Sequence, residues 1–114
     1  MKKVVIHIFH DDKSSLGTGS HVSERIRQVK DQHGVELEVY VFGPAERALN
    51  DPAHAECRRT LVKLAKAGVP VHLCRDIAES VGKSQEFTAL GFTLEYARDA
   101  FVRYAIEGAA VISF

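Results

Sequence analysis

Leu64–Asp76 reads LAKAGVPVHLCRD, and its reading decides the fold. Upstream, Cys57, Leu61, Leu64 and Ala65 recur at helical spacing, and Asp51-Pro52 offers an N-cap with proline at the first helical position. Gly68 closes that helix. Val69–Leu73 is then a short buried strand, Cys74 falls where the strand stops, and Asp76 opens a new helix. Helix, short apolar strand and helix in direct succession are the repeating unit of a parallel α/β sheet.

The same alternation extends both ways. Lys3–Phe9 (KVVIHIF) reads as a strand buried on both faces. HDDKSSLGTGS reads as a long polar loop, with Ser20 capping a helix that turns Val22, Ile26 and Val29 inward and stops at Gly34. Glu36–Phe42 (ELEVYVF) alternates and then becomes fully apolar, a second strand ended by Gly43-Pro44, with a helical turn over Ala45–Leu49. Beyond Cys74, Asp76–Val81 and Ser84–Leu90 read as short helical segments and Gly91–Leu94 as a short strand. Glu95–Glu107 reads as a helix with Ala97, Ala100, Phe101 and Tyr104 inward. Ala109–Phe114 (AAVISF) is a last apolar strand, either internal to the sheet or packed on a neighbouring subunit. Residues 1–114 are thus expected to form one domain, a three-layer α/β/α sandwich around a mostly parallel sheet of about five strands.

Composition removes several function classes. Lys plus Arg is 15 and Asp plus Glu is 15, so the balanced charge argues against nucleic acid as a partner. No apolar run approaches the ~20 residues of a membrane span, and MKKVVIHIF runs straight into charged HDDK, unlike a leader peptide. A cytoplasmic protein with reduced thiols is expected, with no membrane as partner.

Ligands of an open parallel sheet gather at the carboxyl ends of its strands. His10 and Asp11 follow the first strand, and Cys74 and Arg75 the third, so one rim could hold imidazole, carboxylate, thiol and guanidinium. Cys74 has two readings there, an inert buried strand end or a nucleophilic thiolate with Arg75, His10 and Asp11 in support. Cys57 lies on an apolar helix stripe and reads as core. Its spacing from Cys74 matches no zinc or CxxC pattern, His7 reads as a hydrogen-bonded core histidine, and neither metal nor cofactor is expected. Gly17–Ser20 fits a phosphate cradle poorly, because no lysine-hydroxyl pair follows the glycines.

KKVVIHIFHDD, ELEVYVFGP, LAKAGVPVHLC, ALGF and EGAAVI, in this order and spacing, resemble the DsrE/DsrF-like (YchN-like) family of small sulfur-handling proteins. The resemblance spans nearly the whole chain. It implies an α/β/α sandwich and a homo-oligomer, commonly trimeric or hexameric. It also implies that Cys74 matches the cysteine on which active members accept persulfide sulfur, acting between donor and acceptor proteins as sulfurtransferase-like carriers. Members without such chemistry imply the alternative of a structural or regulatory oligomer. A small-anion or nucleotide binder using Gly17–Ser20 is the third possibility.

Overall fold

The computed structural model describes residues 2–114. Its strands are β1 (Lys2–Ile8), β2 (Val35–Val41), β3 (Val71–Leu73), β4 (Thr93–Leu94) and β5 (Ala110–Ser113). Its helices are α1 (Lys13–Val29), α2 (Pro44–Ala48), α3 (Ala55–Lys66), α4 (Arg75–Ser80), α5 (Ser84–Ala89) and α6 (Ala97–Glu107). The five strands form one sheet in the order β4-β3-β2-β1-β5, and every pair is parallel.

This order sets the layers. From β1 to β4 the chain steps one place at a time in one direction, so right-handed crossovers put the intervening helices on one face. The connection from β4 to β5 jumps back across the sheet, which puts α6 on the other face. Strand alternation separates the two cores accordingly. Ile6, Ile8, Val39, Val41, Val71 and Leu73 pack with Leu16, Leu61, Leu64 and Phe87. Val5, Tyr40 and Cys74 pack with Ile77, Ala100 and Tyr104. The expected three-layer sandwich is the architecture found.

Local readings fared differently. The segment read as a loop with Ser20 as N-cap is helical from Lys13 onward. The cap is Asp12, which accepts from the Ser15 amide at 2.9 Å and the Ser15 hydroxyl at 2.7 Å. Ser20 lies buried inside α1, its hydroxyl donating to the Leu16 carbonyl at 2.8 Å, and Ser23 does the same to Gly19 at 2.8 Å. Small residues let α1 approach the sheet closely: a Cβ on Gly19 would stand 2.9 Å from Ile8 Cδ1. Gly17–Ser20 therefore forms helix, not a phosphate loop. Val22 and Ile26 pack on the core as expected, but Val29 is exposed at the helix end.

Gly43 ends β2 with φ +66° and ψ −142°, and a Cβ there would enter the Phe9 ring. Gly43→Ala is expected to cost about 2 kcal/mol or more, from backbone strain plus this collision. Urea unfolding of the variant checks it; a change within ~0.5 kcal/mol would show that the turn relaxes freely.

β5 is not internal. It lies at the sheet edge beyond β1, and all four of its residues are exposed. Phe114 just after it packs on the α1 side of the core, and its carbonyl accepts from the Phe9 amide at 2.9 Å.

Candidate functional site

Cys74 ends the apolar run of β3 in extended conformation (φ −65°, ψ 124°) and occupies the N-cap position of α4. It is 4% exposed. Two other elements bring polar groups to it. Its amide donates to Glu46 Oε1 of α2 at 2.9 Å. Tyr40, from β2, places its hydroxyl beside the Cys74 thiol and donates to the Glu95 carbonyl at 2.7 Å.

Glu46 is wholly buried. Burial pushes its carboxyl up to about 8, against the opposing pull of the Cys74 amide and Arg47. Its second oxygen, Oε2, has no hydrogen-bond partner. Burial, followed by the neighbouring thiol and carboxyl, also holds the Tyr40 hydroxyl well above the ordinary phenol range. A thiol, a phenol and a neutral carboxylic acid thus meet at the carboxyl end of the sheet.

The other rim residues stand apart. Arg75 is exposed; its guanidinium donates to the Leu94 carbonyl at 3.2 Å and lies 5.8 Å from the Tyr96 ring centre. His10 is exposed after β1, edge-on to Phe9 at 5.3 Å, and Asp11 beside it is exposed too. Among the described residues, no hydrogen bond or ion pair joins Arg75, His10 or Asp11 to Cys74. His7, on β1, hydrogen-bonds Ser113 at 3.1 Å and meets Phe101 edge-on at 5.3 Å. Burial, then the charge of His10, lowers its basicity.

Cys57 belongs to the core on the opposite side of the sheet from Cys74, and both thiols are free. Burial pushes the Cys57 thiol up, partly offset by a hydrogen bond with Ser20. It lines a cleft of about 270 Å³ between α1 and α3, together with Lys13, His21 and His54.

A second polar cluster lies on the α6 face. The Glu38 carboxylate of β2 is 2% exposed and meets Arg103 at 2.7 Å and Lys3 at 2.7 Å. Tyr104 donates to it as well. Arg103 also binds Glu95 at 2.8 Å, and His72 binds Glu95 at 2.8 Å. Burial alone would raise the Glu38 carboxyl, but the bonds from Arg103, Lys3 and Tyr104 win and hold it at about 2. Glu38, His72 and Glu95 offer donor atoms within 4.8 Å of one another. A guanidinium and an ammonium already neutralise both carboxylates, so the group is an ion-pair network and not a metal centre.

Sequence reasoning missed Glu46, Tyr40 and this network. Tyr40 and Glu38 had a signal: in ELEVYVF the alternate positions 36, 38, 40 and 42 share one face. Glu46 had none, because a glutamate in GPAERAL reads as the solvated side of a surface turn.

No protein-family model and no curated protein matches the chain. Solved structures do. A conserved protein of unknown function from Bacteroides thetaiotaomicron superposes with a TM-score of 0.80 at 18% identity, over 99% of this chain and 95% of that one. A protein of unknown function from Methanobacterium thermoautotrophicum gives 0.73 at 21% identity, over the whole of both chains. The ychN protein from E. coli gives 0.69 at 16% identity, again over 100% of both chains. At such identities the likeness shows the fold alone, and that fold includes the YchN-like one expected from the sequence.

Proposed function

We propose that this protein is a small sulfur carrier that accepts sulfane sulfur on Cys74 and passes it to a partner thiol. The observation that carries the reading is the placement of Cys74 at the carboxyl end of β3, enclosed by the Tyr40 hydroxyl and the Glu46 carboxyl. Tyr40 and Glu46, bonded to the Glu95 carbonyl and the Cys74 amide, put polar groups from two other elements at this strand end, which leaves the thiol in a polar rim and not in a purely apolar core. The YchN-like fold supports the same reading.

In the proposed step the Cys74 thiolate attacks the outer sulfur of a donor R–S–S–H. A new S–S bond forms at Cys74, the donor's S–S bond breaks, and R–S⁻ leaves with the proton that Cys74 gave up. Cys74–S–S–H results with no net oxidation. Burial shields it from further oxidation until an acceptor thiolate removes the sulfur. Cys74 is only 4% exposed, so donor docking must open the rim, where the exposed Arg75, His10 and Asp11 would meet it.

Assembly belongs to the same proposal. Val102 and Ile106 on α6 are 59% and 81% exposed, and Val111 and Ile112 on β5 are 42% and 48% exposed. These apolar positions suit a homo-oligomer, trimeric or hexameric. The burial of Cys74 favours a second reading, a regulatory oligomer without sulfur chemistry.

Intact-mass measurement after polysulfide treatment separates the two. Wild type and Cys57→Ala are expected to gain sulfur, and Cys74→Ala to gain none. Gain by all three, or by none, would sink the carrier reading and leave the oligomer.

A further inference from the structure

We propose that the cleft between α1 and α3 binds a small organic acid, a monocarboxylate with an apolar body the size of one ring. The inference goes beyond the sulfur reading and does not depend on it: the cleft lies with Cys57, on the opposite side of the sheet from Cys74.

Size sets the class of ligand. The volume of about 270 Å³ stands near the lower end of ligand pockets, which run from roughly 300 to 1,000 Å³. An apolar cavity of about 150 Å³ already admits benzene, so a ring with one polar substituent fits here. The buried part of the lining is Leu16, Ser20 and Cys57. The Ser20 hydroxyl donates to the Leu16 carbonyl at 2.8 Å and is bonded to the Cys57 thiol, so both polar groups are already satisfied and an apolar body can lie against them. Gly17 adds room: beyond its own helix backbone, a Cβ placed on it would meet nothing within 4 Å. The glycine and serine of this stretch thus serve the cleft as a helix wall.

The exposed part of the lining sets the charge. Lys13, His21 and Glu56 are exposed, and His54 is half-buried. Glu24 also lines the cleft, but Arg27 holds its carboxylate at 2.6 and 3.0 Å. Among the described residues Lys13 makes no ion pair, which leaves its ammonium for a carboxylate. The imidazoles of His21 and His54 add N–H donors. His54 stands at the N-cap of α3 without a side-chain bond to it, so the positive end of that helix stays open to the cleft. Glu56, in the first turn of α3, is the uncommitted acid of the lining, and it disfavours anions of higher charge. One carboxylate is therefore preferred over phosphate.

Benzoate is the probe, titrated into the isotopically labelled full chain while backbone amide resonances are followed. Saturable shifts are expected at Gly17, Ser20 and Cys57 in the millimolar range, with none around Cys74. Benzyl alcohol keeps the ring and lacks the charge, and Lys13→Met removes the cation. Benzyl alcohol with the wild type, and benzoate with Lys13→Met, are each expected to bind about threefold more weakly, the worth of one exposed ion pair. Inorganic phosphate is expected to give no saturable shift. Gly17→Leu fills the cleft where a side chain meets no obstacle and favours helix, so the variant is expected to fold and to lose benzoate. Ala53→Leu fills the cleft from the α3 side and decides in its place should Gly17→Leu fail to fold. Four results would each overturn the proposal: no saturable shift with benzoate, equal binding of benzyl alcohol, saturable binding of phosphate, or benzoate shifts that survive the filled cleft. Sulfur uptake at Cys74 is read by mass in a separate experiment, so either reading can fail without the other.

Discussion

Arg103→Met is expected to destabilise the fold by about 3–5 kcal/mol, the usual cost of removing one partner from a buried ion pair. Arg103 makes four carboxylate contacts to Glu38 and Glu95, at 2.7 to 3.1 Å. Without it, Glu38 keeps Lys3 and Tyr104, but Glu95 keeps only His72. Methionine preserves most of the packing of the stem, so the loss reads the charge and not a cavity. Urea unfolding at neutral pH measures it. Glu38→Gln in the same chain is expected to recover a large part, because the carboxylate left behind is then neutral. A loss under ~1 kcal/mol would mean that Glu38 and Glu95 are satisfied without Arg103. Acid dependence follows from the same cluster. The Glu38 carboxyl is held at about 2 when folded against 4.5 as its ordinary value, so the unfolded chain binds more protons between these limits. Its contribution, about 3 kcal/mol, is complete above roughly pH 5 and is lost as pH falls toward 2.

Glu46→Gln is expected to act in the opposite direction and stabilise the protein. The Glu46 carboxyl ionises at about 8 in the folded chain and near 4.5 unfolded. The folded state therefore binds more protons between these values, and wild-type stability falls as pH rises through the interval. At neutral pH this amounts to roughly 3 kcal/mol, because unfolding frees an acid that ionises at once. Glutamine keeps an oxygen for the Cys74 amide and has no proton to lose. The variant should match wild type near pH 5 and exceed it progressively up to about pH 8. Parallel unfolding curves at every pH, with no divergence, would show that Glu46 ionises normally in the fold.

Both predictions depend on residues whose importance was unevenly legible. Short apolar strands and their punctuation by Gly43, Gly68 and Gly108 carried the parallel sheet, because each break falls at a positive φ that glycine favours. The start of α1 was lost because glycine and serine in KSSLGTGS weigh against helix by propensity. In the folded chain those small side chains let α1 lie close on Ile8, a tertiary gain that local sequence does not display. Cys74 was legible as a strand-end thiol. Its enclosure was not, since Tyr40 and Glu46 reach it from elements 28 or more residues upstream. Burial of a glutamate on a five-residue helix depends on what packs over that helix, not on its own sequence.

The strand order also has a kinetic side. β5 pairs with β1, matching Val4 with Ala110, so this contact joins nearly opposite ends of the described chain. β1 pairs with β2 as soon as both exist, but its other edge finds no partner until residues 110–113 have been made. A ribosome-bound chain can therefore assemble four strands and the helices on one face while α6 and β5 are still missing. In that interval Val5, Tyr40 and Cys74 lack their cover of Ala100 and Tyr104, and Glu38 lacks Arg103. Such a nascent sheet exposes one unpaired edge and an uncovered apolar face, two features that slow productive folding and invite association. The stretch from Ala97 to Phe114 is thus the lock on the thiol's surroundings, and the order of synthesis leaves it until the end.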